Sequence, residues 1–392
     1  MPHHWISEYA NNTPRYGMVE MARYARSLGY KDLINLNVGE PDFDTPEHIR
    51  EAAIGAIREG KTHYTPSEGL PDLRFAISEK LHKQNSLSYS PDQITVVCGS
   101  QEGMSVICKG LLSHADEVIM TNPFYPAFLQ NVALEGAKPV FIPIREETNF
   151  QIDPEEFEKA ISPRTKAFAL ISPNNPTGGV QNLETLRSIA EIVVKHDLLV
   201  LSDEIYSSIV YENNKHYSIG SIPGMLERTI TQDGFSKAYA MTGWRIGYFA
   251  SPAEISPKLQ EIHRSSAICA PTVSQYAALA ALKASQECVS QMTAEFSKRR
   301  ELVVKMLKEI PEVQVTAPMG AFYAFPNFSK YSRSDETLAK ELAKEAHVVV
   351  IPGSSFGSEG DGHLRISFAS PTSKLEEGLR RIQNYLAKRN RS

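Results

Sequence analysis

Between residues 94 and 232 short apolar runs alternate with stretches of helical spacing, and this alternation leaves few folds open to the chain. Ile94–Cys98 reads as a buried strand, and Met104–Leu112 after it has a helical pattern. Glu117–Thr121 reads as the next strand, followed by a Pro-rich turn at Pro123 and Pro126. Further strands are expected at Lys138–Ile144, Lys166–Ser172, Leu198–Ser202 and Thr229–Gln232, with an amphipathic helix over Leu183–His196. Strand and helix in alternation predict an α/β fold, with a large domain whose mainly parallel sheet is flanked by helices on both faces.

The C-terminal part has a different pattern. Gln275–Ile310 reads as one long helix that Pro311 ends. Short strands are expected at Val313–Thr316 and Ala321–Phe325, a helix at Glu336–Ala346, strands at Val348–Ile351 and Leu364–Phe368, and a last helix near Lys374–Arg389. This mixture predicts a smaller α+β domain. The segment before residue 46 is too short to fold alone and is expected to pack onto it. The expected division is therefore a large domain over 47–285 and a discontinuous small domain made of 1–46 and 286–392, in keeping with a chain of 392 residues.

Composition excludes several functions. The net charge of −5 argues against a nucleic-acid surface. The four cysteines form no CxxC pair, and Cys98 and Cys108 read as small buried hydrophobes, so neither a disulfide framework nor a zinc site is expected. The adjacent His3 and His4 read as exposed terminal residues, not as a metal site. No apolar run approaches the ~20 residues of a membrane span, and the N-terminus lacks the apolar core of a signal peptide. The expected compartment is the cytosol.

Gly55-Ala-Ile-Arg-Glu-Gly60-Lys61-Thr62 matches the Walker A pattern letter for letter. That motif works only with a strand before its first glycine and a helix after its lysine. Here the order is reversed. Pro46–Glu59 has helical spacing with Ile49, Ala52, Ala53, Ala56 and Ile57 on one face, and Gly60 reads as the helix terminator.

Four other segments sit where predicted strands end, and ligands of parallel α/β sheets bind at the carboxyl ends of strands. Gly99-Ser100-Gln101 joins a strand to a helix, where free N–H groups suit an anion. Pro173-Asn174-Asn175-Pro176-Thr177-Gly178-Gly179 is a loop fixed by its prolines and glycines, which hold Asn175 with an amide free to donate. In Asp203-Glu204-Ile205-Tyr206, Asp203 is either a helix cap or the partner of a protonated ring nitrogen, and Tyr206 can donate its hydroxyl to the same ligand. In Gly234-Phe235-Ser236-Lys237, the lysine is followed by a small apolar run, a setting for an amine of lowered pKa that forms Schiff bases. Arg245, eight residues on, offers a fork of donors to phosphate.

With these segments in order, the sequence resembles the class I/II aminotransferases, pyridoxal-phosphate enzymes of fold type I. The resemblance runs from Asn37-Val-Gly39-Glu-Pro41 to Arg365-Ile-Ser-Phe. It implies that Lys237 carries the cofactor and moves the proton. It implies that Asp203 keeps the pyridine nitrogen protonated, while Tyr206 and Asn175 hydrogen-bond the ring's phenolic oxygen. Ser100, Gln101, Ser236 and Arg245 match the phosphate cradle, Tyr125 the aromatic that stacks on the ring, and Arg365 the arginine that grips the substrate carboxylate. Gly39 matches a backbone donor to that carboxylate. Tyr64 matches a tyrosine that reaches the phosphate of the neighbouring subunit, which implies a homodimer with shared active sites.

The implied reaction is amino-group transfer from an L-amino acid to a 2-oxo acid such as 2-oxoglutarate, with ping-pong kinetics. Aspartate-preferring members of this resembling group tend to carry a lysine after the phosphate-site glycines, and here that position holds Gln101, followed by Glu102. A neutral or aromatic donor is therefore expected, with Tyr16 in a stretch that can line the pocket. The alternative is a C–S β-lyase on the same fold, because the cofactor supplies the chemistry of both.

Overall fold

The computed structural model describes residues 5–14 and 17–389. His3, His4 and Tyr16 lie outside the described residues. In chain order come α1 (Glu8–Asn12), α2 (Gly17–Ser27), β1 (Ile34–Asn35), α3 (Glu47–Arg58), α4 (Pro71–Lys80), β2 (Ile94–Val97) and α5 (Ser100–Leu111). Next are β3 (Glu117–Asn122), α6 (Pro126–Leu134), β4 (Lys138–Pro143), α7 (Pro154–Lys159), β5 (Thr165–Ile171), α8 (Leu183–Lys195) and β6 (Leu199–Asp203). β7 (Thr229–Gly234), β8 (Gly247–Ala250), α9 (Ser256–Ala267), α10 (Thr272–Lys283) and α11 (Glu287–Lys308) follow. The chain closes with β9 (Tyr323–Ala324), α12 (Asp335–Glu345), β10 (Val348–Val349), β11 (Ile351–Pro352), β12 (Leu364–Ser367) and α13 (Thr372–Arg389).

Seven strands form one sheet in the order β2-β8-β7-β6-β5-β3-β4. All pairings among β7, β6, β5, β3 and β4 are parallel, whereas β8 runs antiparallel to both of its neighbours. The apolar runs read as strands are continuous because both faces of the sheet are covered. Val118 and Met120 pack on one side with Met104, Val106 and Ile107 of α5. Ile119 and Phe168 point to the other side, where Leu186, Ile189 and Val193 of α8 meet them. β8 was not anticipated, since its four residues follow directly on the Gly-rich segment. Its close fit depends on glycine: a Cβ on Gly247 would lie 2.8 Å from the Ser100 nitrogen, and one on Gly234 would lie 3.2 Å from the Gly247 Cα.

Two smaller sheets lie in the rest of the chain. β1 pairs in parallel with β10, matching Ile34 to Val348 and Asn35 to Val349. β11, β12 and β9 form an antiparallel sheet. Met21, Ala25, Ile34 and Leu36 share an apolar cluster with Val348, Ile366, Leu375 and Leu379, and the β1–β10 pairing ties the N-terminal segment to the C-terminal part.

Several boundaries differ from the expectation. The stretch 275–310 is two helices, α10 and α11, not one. Ala284 is extended between them, and the Gln286 amide donates to the carbonyls of Ala281 (2.9 Å) and Ala284 (3.0 Å), which stabilises the break. The expected strand at 313–316 reduces to an isolated bridge between Gln314 and Asn327, after a left-handed Glu312 at φ 61°. That at 321–325 shrinks to β9, because Ala321 is left-handed at φ 54° and Pro326 cannot donate to a ladder. Pro126 is not part of a turn but opens α6, where its missing N–H costs nothing. Cys108 is buried as expected, whereas Cys98 is only half-buried because it lies beyond the end of β2. All four cysteines are free thiols, and among the described residues no helix is long and apolar enough to cross a membrane.

The Walker-like segment is the end of α3. Gly60 takes φ 71° and its N–H donates to the Ile57 carbonyl (3.0 Å), while the Lys61 N–H donates to the Ala56 carbonyl (2.9 Å). This is the Schellman pattern of a helix C-terminus. Ile57 is not on the core face but 57% exposed, whereas Ile49, Ala53 and Ala56 are buried. Gly60→Ala forces a side chain into the left-handed region, so urea titration should show a loss of about 1–2 kcal/mol. Lys61→Ala should leave nucleotide binding unchanged; tight ATP binding that this variant abolished would contradict the helix-cap account.

Candidate active site

The register of the large sheet brings distant residues to one edge. Ile171 pairs with Asp203, Asp203 with Gln232, and Gly234 with Gly247, which also pairs with Val97. The carboxyl ends of β2, β5, β6 and β7 thus lie side by side. A cavity of about 440 Å³ opens there, lined by Gly39, Ser100, Gln101, Tyr125, Asn175, Asp203, Tyr206, Ser236, Lys237, Arg245 and Arg365 among others. Every site residue expected from the sequence is in this lining except Tyr64. Tyr64 is 79% exposed, on a loop fastened to α10 by bonds from Thr272 Oγ1 to the His63 carbonyl (2.7 Å) and from Gln275 Nε2 to Thr65 Oγ1 (2.9 Å).

Lys237 follows β7 and is half-buried at the cavity wall. Its Nζ donates to the Gly39 carbonyl at 2.6 Å. Burial pulls its amine down to about 8, with the Arg365 and Arg245 guanidiniums acting in the same direction and the Glu40 carboxylate opposing them. Asp203 is the last residue of β6. It is no helix cap: its Oδ1 accepts from the Ile205 N–H (3.1 Å) and its Oδ2 from Gln232 Nε2 (3.3 Å). Burial pushes its carboxyl up to about 7, and the Asp233 carboxylate adds to the shift.

Ser100 and Gln101 open α5 behind Gly99, whose φ of 83° and missing side chain admit the Arg245 guanidinium. A Cβ on Gly99 would stand 2.5 Å from Arg245 Nη2. Arg245 donates to the carbonyls of Thr242 (3.1 Å) and Cys98 (3.4 Å) and so lies across the first turn of α5, whose N–H groups have no carbonyl within the helix.

The loop after β5 is held by Asn174, whose Oδ1 accepts from the Thr177 N–H (3.2 Å) and hydroxyl (2.9 Å). The Ser172-Pro173 and Asn175-Pro176 bonds are cis. Asn175 Oδ1 accepts from Arg365 Nη1 (3.0 Å), which leaves its amide NH₂ as the donating end. Arg365 of β12 also donates through Nη2 to the Asn37 carbonyl (2.7 Å), and its Cζ lies 4.5 Å from the centre of the Tyr323 ring and 5.2 Å from that of Phe356. Its Nε and Asn37 Oδ1 are buried with no hydrogen-bond partner. Tyr125 forms the N-terminal boundary of α6 and lines the cavity.

Tyr323 is a lining residue the sequence did not disclose. It shares a hydroxyl–hydroxyl hydrogen bond of 2.8 Å with Tyr206 and lies under Arg365. Gly39 makes room for it, since a Cβ there would meet the Tyr323 hydroxyl at 2.8 Å. Nothing in Ala321–Phe325 except an expected strand marked it. Asn37 and Thr242 also line the cavity, and both lie inside segments already singled out.

Similarity to known proteins agrees with this geometry. The sequence profile of the aminotransferase class I and II family matches residues 31–382. An aspartate aminotransferase of Pyrococcus abyssi is 43% identical over 92% of this chain and 93% of its own length. Aromatic-amino-acid aminotransferase 2 of Thermococcus litoralis is 42% identical over 91% of this chain and 92% of its own. The crystal structure of an aromatic aminotransferase from Pyrococcus horikoshii superposes with a TM-score of 0.90 at 41% identity, covering 94% of this chain and 99% of that one. All three names denote amino-group transfer, so the C–S lyase alternative is not favoured. The chain belongs to the class I and II aminotransferases and is a pyridoxal-phosphate-dependent transaminase of fold type I.

Proposed function

We propose that this transaminase takes the α-amino group of an L-amino acid with a neutral or aromatic side chain and passes it to a 2-oxo acid such as 2-oxoglutarate. The observation that carries the reading is a half-buried amine and a buried carboxyl in one cavity, Lys237 drawn down to about 8 and Asp203 pushed up to about 7. Titratable groups perturbed in this way inside one cavity mark a functional site.

The residues present fit the cofactor. Asp203 is a buried acid hydrogen-bonded to two neutral donors, and a protonated ring nitrogen is the cation that would hold it ionised. Arg245 and the N-terminus of α5 suit a phosphate, aided by Ser100, Gln101 and Ser236. Pyridoxal phosphate, when bound, supplies an aldehyde that links to amines and a ring that draws electrons from the substrate Cα.

In this reading Lys237 Nζ would hold the cofactor and would move the proton of the substrate Cα. Arg365 grips the α-carboxylate, for which its unpartnered Nε and the Gly39 backbone are available. Asn175 and Tyr206 would donate to the phenolic oxygen, and Tyr125 would cover the ring. The partner subunit's Tyr64 would reach the phosphate. The exposed apolar residues Ile54, Ile57, Tyr64 and Ile268 support such a homodimer. Free thiols at all four cysteines support a cytosolic setting. The reading also divides the chain into a large unit, 47–285, and a small one, 1–46 with 286–392.

The donor preference rests on charge. Among the described residues the cavity lining holds three cations, Lys237, Arg245 and Arg365, and each already has a task. None remains for a distal carboxylate. Relatives named for aspartate and for aromatic donors are almost equally similar, so similarity does not decide the point.

A donor panel should give higher kcat/KM for phenylalanine, methionine or alanine than for aspartate; a far higher value for aspartate would overturn the preference. Arg365→Lys should lower kcat/KM for every donor by about 10- to 100-fold, since lysine cannot grip a carboxylate with two parallel bonds. Unchanged kinetics would remove Arg365 from the role. In the cofactor-free protein, a carboxyl with a raised folded-state pKa binds more protons folded than unfolded, so its contribution to stability falls as pH rises from about 4 to about 7. Asp203→Asn lacks this decline. Its stability advantage over the parent should grow across that window and then level off, and a flat difference would mean that Asp203 is an ordinary ionised carboxylate.

A further inference from the structure

Glu102 lies beside the cavity and not in its lining, yet two donors converge on its carboxylate. The Cys98 backbone N–H donates to Oε2 at 2.6 Å, and His263 Nδ1 is 2.8 Å from Oε1. Burial pushes the Glu102 carboxyl up, but the His263 and Cys98 bonds outweigh it and hold the group below its usual value. Burial and this carboxylate push the Cys98 thiol up to about 12, so the sulfur is a thiol and not a thiolate.

The position of Glu102 in the helix is what matters. Gly99 is the N-cap of α5, which makes Ser100, Gln101 and Glu102 its first three residues. A glutamate at the third position usually reaches back to the N-cap N–H. Here the Gly99 N–H is already taken by the Val97 carbonyl (2.8 Å), and Glu102 reaches one residue further, to Cys98. The Cys98 carbonyl accepts from Arg245 Nη2 at 3.4 Å. Cys98 is therefore held by Glu102 through its N–H and by Arg245 through its carbonyl. Glycine cannot fix the turn by itself, so this grip sets the direction in which the Ser100 and Gln101 N–H groups point.

His263 locks the grip. It comes from α9, has a fully buried side chain, and its Nε2 has no hydrogen-bond partner. Its one polar contact is Glu102. α9 packs closely on α5, where a Cβ on Gly110 would come within 2.3 Å of Leu259 Cδ2. A polar ring in this apolar seam is costly unless it is hydrogen-bonded, so His263 and Glu102 hold each other in place.

We infer that Glu102, locked by His263, is a positioning residue for the phosphate cradle, acting through the Cys98 peptide and not on the ligand itself. The inference rests on the reading of Ser100, Gln101 and Arg245 as that cradle.

The test measures dissociation constants of the full-length, cofactor-free protein for pyridoxal phosphate and for pyridoxal, which lacks the phosphate. The ratio of the two isolates the cradle. In the parent protein pyridoxal phosphate should bind far more tightly than pyridoxal; equal affinities would overturn the cradle reading and this inference with it. Glu102→Ala should weaken pyridoxal phosphate by about 10-fold or more, the worth of a charge-assisted hydrogen bond, and leave pyridoxal unchanged. Glu102→Gln, whose amide fits the same space and still accepts from Cys98, should recover most of the loss and serves if the alanine variant does not fold. His263→Leu should reduce the ratio in the same direction. If the parent discriminates but the variants keep its ratio, or weaken both ligands equally, Glu102 is merely structural and the inference fails.

Discussion

Burying a carboxylate away from water is costly, and this fold places one at the end of its central strand. Asp203 sits on β6, the middle of the seven strands, with Asp233 close enough to raise its pKa further. Its own hydrogen bonds come from an N–H and an amide, both neutral. Much of the surrounding architecture bears on this one group. The parallel register puts Lys237, Asn175 and the first turn of α5 around the same cavity, and each adds a donor or a cation to a region that would otherwise be too negative. The desolvation that raises Asp203 also lowers Lys237, so one burial tunes an acid and a base together.

Close approach is the second constraint. Gly39, Gly99 and Gly247 stand where a side chain would strike Tyr323, Arg245 and Ser100. They let backbone, guanidinium and aromatic ring close in around a cavity of about 440 Å³. The cavity is thus shaped as much by absent side chains as by present ones.

The parts of the fold legible in the sequence were those with a strong period. Strands buried on both faces announce themselves as apolar runs, and α8 shows a clear amphipathic stripe. β8 was hidden because four residues after a glycine-rich segment carry no period. The break between α10 and α11 was hidden because a glutamine side chain, not a proline or glycine, stabilises it. Eleven of the twelve expected site residues line one cavity, since strand ends with unusual turn chemistry are visible without coordinates. Tyr64 stands outside it on an exposed loop. Tyr323 and the Glu102–His263 pair escaped notice because their neighbours are far away in the chain, and no local pattern signals a contact across 161 residues.

The central claim is that Lys237 carries the cofactor. The direct measurement is borohydride reduction of the purified enzyme followed by peptide mapping of the phosphopyridoxyl group. The account predicts the group on Lys237 alone and none on the Lys237→Ala protein. A group fixed on another lysine, such as Lys61 or Lys80, or none on the parent enzyme, would contradict it.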